Sequence, residues 1–356
     1  METHLETLCQ ELLDRVEIQV VVANNSWRHV ISNVDGIPVT RLSRLFTLAS
    51  TPVCNGMARE IRRSRAQIAH LHMPNPIGAL AYLVSRYPGQ LVVSWHSDVV
   101  RQRLLVKFFS PIEQRILRRA RAIILSSENY LRSSQPLRAH RSKCRVIPYG
   151  ISLKKFGVTQ DPRIAEIRRR HGSRIVLAVG RLVYYKGFEY LIRAMSRVRA
   201  ALVLVGDGPL RGRLEAEVLN LGIQDRVTFL GELQNEAMVP YYRASDVFVL
   251  SSIARSEAFG IVQLEAMASG RPVVNTSIDS GVPVVSVDGI TGITVPPANS
   301  EALAAAINTL LENSQLRMLY GWRAQQRVHK EFSADTMARS TLQLYRELLE
   351  ANGSSK

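Results

Sequence analysis

Short apolar runs rich in β-branched residues alternate with helical patterns along almost the whole chain, and this alternation limits the fold more than any other feature. Compact runs of this kind are typical of parallel strands covered on both faces, and helical connections between them favour βα units. We therefore predict an α/β protein with two doubly wound domains. Ten runs are the predicted strands: residues 17–24, 67–72, 90–96, 121–127 and 144–150 in the first half, and 174–180, 201–208, 226–231, 246–252 and 271–276 in the second.

The length of the chain and a break in this alternation indicate where one domain ends. A chain of 356 residues has room for two cores, at roughly 100–200 residues per domain. Turn residues and charges interrupt the alternation over residues 150–163, so we expect the boundary there. We assign residues 1–155 to the first domain and residues 156–335 to the second, with long helices predicted over residues 300–350.

The composition indicates the class of protein and the compartment in which we expect it. A hydrophobic content of 46% and a charged content of 21% are those of a soluble globular protein. No apolar run approaches the roughly 20 residues of a membrane span, and no secretory signal is visible. Cys9, Cys54 and Cys144 are too few and too scattered for a disulfide framework or a metal site. We expect the reducing cytoplasm and no bound metal.

The net charge of +16 is concentrated in the first half of the chain. Residues 1–150 carry 21 Lys and Arg against 10 Asp and Glu, and residues 101–121 alone carry seven basic residues and one acidic residue. A basic helical segment that also bears Leu and Phe favours contact with an anionic lipid surface. A solvated helix face with its leucines in the core is the alternative, and the charge alone would also suit nucleic acid.

Two cations follow the first strand of the second half, in the stretch AVGRLVYYKGFEYL. Arg181 and Lys186 lie in a loop that Gly187 closes before the next helix. Cations beside a helix N-terminus suit a diphosphate, because charge-assisted hydrogen bonds add to the positive end of the helix dipole. The alternative is a surface loop with two solvated cations. No Walker or G-x-G-x-x-G pattern accompanies the loop.

A second loop, LVGDGPLRGRL, follows the next strand. Gly206 and Gly208 allow close approach of the backbone to a ligand, and Asp207 could cap the following helix. A strand-to-helix turn without a binding role explains the same pattern.

Two carboxylates stand in otherwise apolar surroundings in SEAFGIVQLEAMASGRPVV. If a helix begins near Gly260, Glu257 lies in the preceding loop and Glu265 lies on the helix. The backbone N–H groups of Phe259, Gly260 and Ile261 would then be available to a ligand. Carboxylates that accept hydrogen bonds from sugar or ribose hydroxyls, beside N–H groups for phosphate, fit this layout. A buried structural Glu is the alternative.

His96 comes directly after a predicted strand, in LVVSWHSDVVRQR, and Asp98 is expected to open a helix. Ligands of open α/β sheets bind beyond the carboxyl ends of the strands, so the position of His96 favours a site role. A structural role is the usual one for an isolated His.

Taken together, these four stretches resemble the retaining glycosyltransferases of family 4, which have the GT-B fold. The resemblance spans almost the whole chain and is most specific over residues 257–274, where an E-x(7)-E element precedes AMASGRPVV. It implies two Rossmann-like domains that face a central cleft, the first for the acceptor and the second for the nucleotide sugar. It also implies a C-terminal helix, residues 336–356, that crosses back to the first domain.

The resemblance implies transfer of a sugar from a nucleotide diphosphate-sugar with retention at the anomeric carbon, without a metal or another cofactor. Its site residues are carried over one by one: Arg181 and Lys186 for the diphosphate; Glu257 for the donor sugar, with backbone contacts from Phe259, Gly260 and Ile261; Glu265, Gly206 and Asp207 for the nucleoside; and His96 near the reacting centre, where it and Glu257 are the expected catalytic residues.

Within the family, WHSDVVRQR is most similar to bacterial enzymes that build exopolysaccharide or O-antigen units, many of them mannosyltransferases. The resemblance therefore favours GDP-mannose as donor, with a UDP-sugar as alternative, and a saccharide or polyprenyl-diphosphate-linked acceptor. It also favours a peripheral position on the inner face of the cytoplasmic membrane, through residues 101–121.

The chain opens on a helical pattern of Leu5, Leu8, Leu12 and Leu13, although members of this family place a strand and a glycine-rich loop before that helix. The first strand of the first domain is therefore expected to be missing from this sequence, and an inactive, shortened relic is one alternative function. A sugar-nucleotide epimerase or a phosphorylase of the same fold is another. A nucleic-acid binder is disfavoured because only 6% of the residues are aromatic and no stacking motif separates the cations.

Overall fold

Helices and strands alternate through the computed structural model, which describes residues 2–48, 51–98, 103–157 and 160–353. Among these residues the strands are β1 Val20–Ala23, β2 Val30–Val34, β3 Ile37–Leu42, β4 Arg44–Leu48, β5 Thr51–Cys54, β6 Ile68–Met73, β7 Gln90–Trp95, β8 Ala122–Leu125, β9 Cys144–Val146, β10 Ile175–Val179, β11 Ala201–Val205, β12 Val227–Phe229, β13 Val247–Val249, β14 Val273–Thr276 and β15 Gly292–Val295. The α-helices are α1 Glu2–Leu12, α2 Met57–Arg63, α3 Pro76–Ser85, α4 Arg103–Arg119, α5 Glu128–Ser133, α6 Pro162–His171, α7 Phe188–Met195, α8 Arg211–Asn220, α9 Asn235–Ala244, α10 Ile261–Ala268, α11 Val282–Val285, α12 Ser300–Glu312, α13 Ser314–Glu331 and α14 Ala334–Gly353.

The chain divides into two units. The first contains the residues up to Gly150 together with the segment from Ala334 onward, and the second runs from Ile151 to Ser333. The first division falls at the start of the predicted boundary region, residues 150–163. The binding roles assigned to the two domains from the sequence stay predictions.

The first unit contains a four-stranded parallel sheet and two smaller sheets. The parallel sheet has the order β6-β7-β8-β9, and all six residues of its inner strand β7 are buried. The second sheet has the order β1-β3-β2, in which β1 and β3 are parallel, and β4 and β5 form a separate antiparallel pair. The sequence analysis predicted the strands of the parallel sheet and β1, but not β2 to β5.

A shared core connects the two sequence segments of the first unit. Leu8 and Leu12 of α1 are buried with Met337 and Leu342 of α14, beside Val92 of the parallel sheet. The leucines at helical spacing near the start of the chain therefore form the predicted apolar helix face, and its partner is the last helix of the chain.

The second unit is a six-stranded parallel sheet with the order β12-β11-β10-β13-β14-β15. This is the doubly wound order, in which the chain starts at the middle, builds outward in one direction and then returns to build in the other. Strand β10 therefore lies between β11 and β13, with Val176 opposite Val247 and Leu177 opposite Phe248. The crevice of such a sheet is expected where the direction reverses, beyond the carboxyl ends of β10 and β13.

Candidate functional site

The two loops at this reversal point carry most of the residues singled out from the sequence. The loop after β10 runs through Arg181 and Lys186 to α7, and the loop after β13 runs through Glu257 to α10. Parallel strands bring their carboxyl ends to the same edge of the sheet, which explains how residues about 70 positions apart meet. The sequence predicted both loops, and the topology brings them together.

Lys186 and Glu257 form a buried ion pair. The Lys186 Nζ lies 2.5 Å from the Glu257 Oε2, and each residue is at most 9% exposed. The Ser252 hydroxyl donates to the same carboxylate oxygen at 3.2 Å. Because a buried charge is costly without a counter-ion, the removal of either residue would leave the other buried and unpaired within the second unit. The alternative of a solvated cation is wrong for Lys186, whereas Arg181 is exposed.

A glycine makes room for the Lys186 side chain. A Cβ atom on Gly180 would lie 3.0 Å from the Lys186 Cε and 3.1 Å from its Nζ. The Gly180 N–H donates to the carbonyl of Val205 on the neighbouring strand β11 at 2.9 Å, which fixes the backbone there. The Lys186 side chain therefore crosses the carboxyl end of β10 toward the loop that carries Glu257.

Helix α10 begins where the sequence predicted. Gly260 is its N-cap and Ile261 its first residue, so Glu257 lies in the preceding loop and Glu265 on the helix. Within this first turn the Gln263 N–H donates to the Gly260 carbonyl at 2.9 Å, and the positive end of the helix dipole there suits an anion. Phe259 is 2% exposed and its ring contacts that of Phe332, which anchors the loop to the core.

Glu265 holds two partners at once. Its Oε1 accepts from the Lys155 Nζ at 2.9 Å, and its Oε2 accepts from the Tyr242 hydroxyl at 2.8 Å. Burial, together with the Glu265 charge, raises the pKa of Tyr242 well above its usual value, so the phenol stays protonated as a donor. Neither partner was predicted, because Lys155 and Tyr242 are far from Glu265 in the sequence.

Gly206 and Asp207 follow β11 directly. The Gly206 N–H donates to the carbonyl of Gly231 at 2.7 Å. The Asp207 carboxylate accepts from the Gly208 N–H at 2.6 Å and from the Arg211 guanidinium at 3.2 Å. The N-cap of α8 is Leu210, so the prediction that Asp207 caps this helix is wrong. Asp207 lies three residues before that N-cap, and its carboxylate braces the turn instead.

His96 lies in the first unit, directly after β7, and its N–H donates to the carbonyl of Met73 at 2.9 Å. The Tyr149 hydroxyl lies 2.6 Å from its Nδ1, and the Nδ1 of His72 lies 2.9 Å from its Nε2. Burial lowers the pKa of His96 to about 2, so the imidazole is neutral at neutral pH. His96 is therefore not the isolated residue that the sequence indicated.

Three further histidines surround His96, and the sequence analysis did not predict this. His4 comes from α1, and His70 and His72 from β6. One nitrogen from each of His4, His72 and His96 lies within 4.8 Å of the others. His70 is hydrogen-bonded at both ring nitrogens, to the Tyr345 hydroxyl at 2.6 Å and to the Ser94 hydroxyl at 2.8 Å. Alternating histidines in the sequence HLH were the available signal, because alternate residues of a strand share one face.

The basic segment at residues 101–121 is described only in part. Residues 101 and 102 lie outside the described residues, as do the side chains of 103–108. In the remainder of α4, Arg115, Arg118 and Arg119 are exposed, whereas Ile116 and Leu117 are fully buried. The expected opening of the helix at Asp98 also adjoins residues outside the described part. Among the described helices, none combines the length and apolar character of a membrane span.

Two glycosyltransferase family models match the two halves of the chain. Residues 1–155 match the family described as Glycosyltransferase Family 4, and residues 160–327 match the Glycosyl transferases group 1. An O-antigen chain mannosyltransferase of Escherichia coli is 34% identical over 86% of this chain and 83% of its own length. A D-rhamnosyltransferase of Pseudomonas aeruginosa is 33% identical over 97% of this chain and 94% of its own length.

The fold matches solved structures of the same kind. A sucrose-phosphate synthase from Thermosynechococcus elongatus superimposes with a TM-score of 0.82, at 26% identity, over 98% of this chain and 93% of that one. The GT-B fold predicted from the sequence is confirmed. The two family models and these relatives show that the chain belongs to glycosyltransferase family 4 and is an enzyme that transfers a sugar from a nucleotide sugar.

Proposed function

We propose that the protein is a retaining hexosyltransferase that moves mannose from GDP-mannose to a saccharide or polyprenyl-diphosphate-linked acceptor during synthesis of a cell-surface polysaccharide. A UDP-sugar is the second candidate donor. Two relatives that are similar over most of the chain support this choice, since one is described as an O-antigen chain mannosyltransferase and the other as a D-rhamnosyltransferase.

The buried pair of Lys186 and Glu257 is the observation that carries the proposal. A donor diphosphate would replace Glu257 as the counter-ion of Lys186, with the exposed Arg181 as a second cation. The Glu257 carboxylate would then be free to accept hydrogen bonds from the hydroxyls of the donor sugar. Negative charge grows on the diphosphate as the sugar departs, so a fixed cation there stabilises the transition state.

Other residues of the second unit have supporting roles in this proposal. The N–H groups at the start of α10, from Phe259 to Ile261, would face the donor sugar and phosphate, and Glu265 would accept from the ribose hydroxyls. Gly206 and Asp207 would adjoin the nucleoside. Lys155 and Tyr242 fix the Glu265 carboxylate in advance, so that donor binding costs less side-chain entropy.

The proposal is tested with a panel of UDP-, GDP- and ADP-sugars offered to the purified protein together with a membrane lipid extract. We expect acceptor-dependent transfer from GDP-mannose and an axial anomeric linkage by proton NMR, as in the donor. Lys186→Ala is expected to lower kcat/KM by about 100- to 1,000-fold, the usual effect of losing one group that stabilises a developing charge.

The surface ion pair of Arg197 and Glu301 supplies a matched control. Their side chains are 61% and 75% exposed, and Arg197→Ala removes a cation of the same unit without touching the site. Its kcat/KM should equal that of the wild type. Equal turnover by Lys186→Ala and the wild type would contradict the assignment. Donor conversion that needs no acceptor would favour an epimerase instead.

We further propose that the basic segment at residues 101–121 brings the enzyme to an anionic membrane, where a lipid-linked acceptor would be held. The exposed Arg115, Arg118 and Arg119 support this proposal. Reversal of these three charges to Glu should abolish cosedimentation with vesicles that contain anionic lipid, while transfer to a water-soluble acceptor is retained. Unchanged cosedimentation would leave only the solvated-face alternative.

A further inference from the structure

The cluster formed by His4, His72 and His96 lies in the first unit, and each of these residues reaches it from a different element. His4 comes from the first turn of α1, His72 from β6, and His96 from the residue that follows β7. One nitrogen from each ring lies within 4.8 Å of the other two. The three histidines are far apart in the sequence, so only the folded unit brings them together.

His4 supplies the observation that points to a ligand. It is 8% exposed, and within the described part of the chain its buried Nδ1 has no hydrogen-bond partner. A buried imidazole nitrogen without a partner loses its hydration and gains nothing in return. A cation bound at that nitrogen would recover the lost free energy.

The rings around His4 fix its position. Its ring centroid lies 4.5 Å from that of Tyr149, 5.3 Å from that of His96 and 5.9 Å from that of His72. The Tyr149 hydroxyl lies 2.6 Å from the Nδ1 of His96. If that Nδ1 carries the proton, the Nε2 of His96 keeps its lone pair toward His72 and the interior of the cluster. Metal-binding histidines use their second nitrogen for a hydrogen bond of this kind.

We propose that His4, His72 and His96 form a binding site for a divalent transition metal ion, with Zn²⁺ as the ion that fits best. Imidazole is a preferred ligand of Zn²⁺, and three protein ligands with one open position are a common arrangement around it.

The geometry requires a small movement. Zn–N distances of about 2.0–2.1 Å place tetrahedral ligand nitrogens about 3.3 Å apart. The Nδ1 of His72 and the Nε2 of His96 are 2.9 Å apart already, so His4 makes the main approach. One proton lies between those two nitrogens in the absence of metal. On binding it moves to the other nitrogen of its own ring, and the reaction releases no proton from neutral imidazoles.

Binding is measured on the whole chain after dialysis against a chelator, without donor or acceptor, so its outcome is independent of the proposed function. Co²⁺ serves as the spectroscopic probe, and Zn²⁺ competes with it. We expect one equivalent of Co²⁺ to give the visible bands of a four- or five-coordinate site, and Zn²⁺ to remove them.

Variants locate the ion. His4→Phe keeps an aromatic ring beside Tyr149 without a ligand nitrogen, and it should abolish stoichiometric binding, as should His72→Ala and His96→Ala. Tyr149→Phe removes only the outer hydrogen bond and should weaken binding by about 10- to 100-fold. His329→Ala, on α13 of the second unit, is the control and should bind as the wild type does.

Three results would overturn the proposal. The first is the absence of saturable Co²⁺ binding by the wild type. The second is undiminished binding by His4→Phe whose circular dichroism matches that of the wild type. The third is an intense near-ultraviolet thiolate band, which would place the ion on a cysteine. If His4→Phe does not fold, the Tyr149→Phe titration still decides, because unchanged affinity there contradicts the assigned geometry.

Discussion

At the scale of single residues, Lys186 and Glu257 combine a stabilising and a binding role. Both side chains lie in the interior of the second unit and are charged, so each depends on the other for a counter-ion. A ligand that bears a diphosphate offers Lys186 an alternative counter-ion. The pair therefore contributes both to the free energy of unfolding and to binding of the donor.

A double-mutant cycle separates these contributions. Lys186→Met and Glu257→Gln each leave one buried charge without its partner, and each should lower the free energy of unfolding of the second unit by about 3–5 kcal/mol. The double variant leaves neither charge and should be more stable than either single variant. Urea unfolding measures all four proteins. Additive losses in the double variant would mean that the two charges do not interact.

Glu113 gives the first unit a pH-dependent stability. Burial, with a smaller contribution from Asp98, raises the pKa of Glu113 from 4.5 to about 7. Between these values the folded unit keeps a proton that the unfolded chain has lost, so unfolding releases protons and stability falls as the pH rises. The loss is about 3 kcal/mol at most.

Glu113→Gln carries a neutral amide at every pH and should remove this fall. The measurement is the urea midpoint of the wild type and the variant across pH 4.5 to 7. The difference between the two proteins should widen with pH in favour of the variant. A constant difference would show that Glu113 titrates at its ordinary value in the folded chain.

Site residues could be predicted from the sequence where they lie close to the end of a strand. Lys186, Glu257 and the start of α10 were predicted, since each follows a strand or precedes a helix within a few residues. The partners Lys155 and Tyr242 and the histidine cluster were not predicted. Their contacts join distant segments, and no local pattern encodes such a meeting.

At the scale of elements, the loop between β11 and α8 depends on a glycine. Gly206 has φ +128°, and a Cβ atom there would lie 2.2 Å from the carbonyl oxygen of Gly180. The two loops at the carboxyl ends of β10 and β11 therefore touch through their backbones. Any side chain at position 206 must separate them.

Gly206→Ala should destabilise the second unit by several kcal/mol, of about the size seen for overpacked or strained core positions. Gly212→Ala is the matched control, because a Cβ atom on this α8 residue meets nothing within 4 Å. That substitution should raise the free energy of unfolding by about 0.4–1 kcal/mol, since alanine restricts the unfolded chain. Thermal unfolding of both variants is the measurement, and equal stabilities would refute the close approach.

Elements were predictable to the extent that their patterns were strong. The strands of the two parallel sheets are continuous apolar runs and were found from the sequence, apart from the short β15. The hairpin of β2 and β3 was missed because β2 is largely exposed and its residues lack an apolar run. Its two-residue turn, Asp35-Gly36, was the available signal, since Asp-Gly is typical of tight hairpins.

At the scale of the whole molecule, the last helix belongs to the first unit. Besides the core residues Met337 and Leu342, the carbonyl of Leu348 accepts from the Gln90 side chain at 2.8 Å. Arg15 and Asp335 form an ion pair at 2.9 Å. Residues more than 250 positions apart in sequence thus share one core.

Removal of the segment from Ala334 onward should therefore destabilise the first unit and leave the second unit folded. Hydrogen exchange should show lost protection in β6 to β9 and retained protection in β10 to β15. A chain that ends at Gly353 is the control and should exchange as the full chain does. Equal loss of protection in both units would contradict the division at Ser333.

The return of α14 to the first unit also has a consequence for synthesis on the ribosome. The segment from Ile151 to Ser333 can complete its own sheet once it has emerged, whereas the residues before it also need the segment from Ala334 onward, which is translated later. The order in which the units finish folding is thus the reverse of their order along the messenger. During that interval the part of the apolar face of α1 that packs on α14 remains uncovered, and chaperone binding to nascent chains should be strongest there.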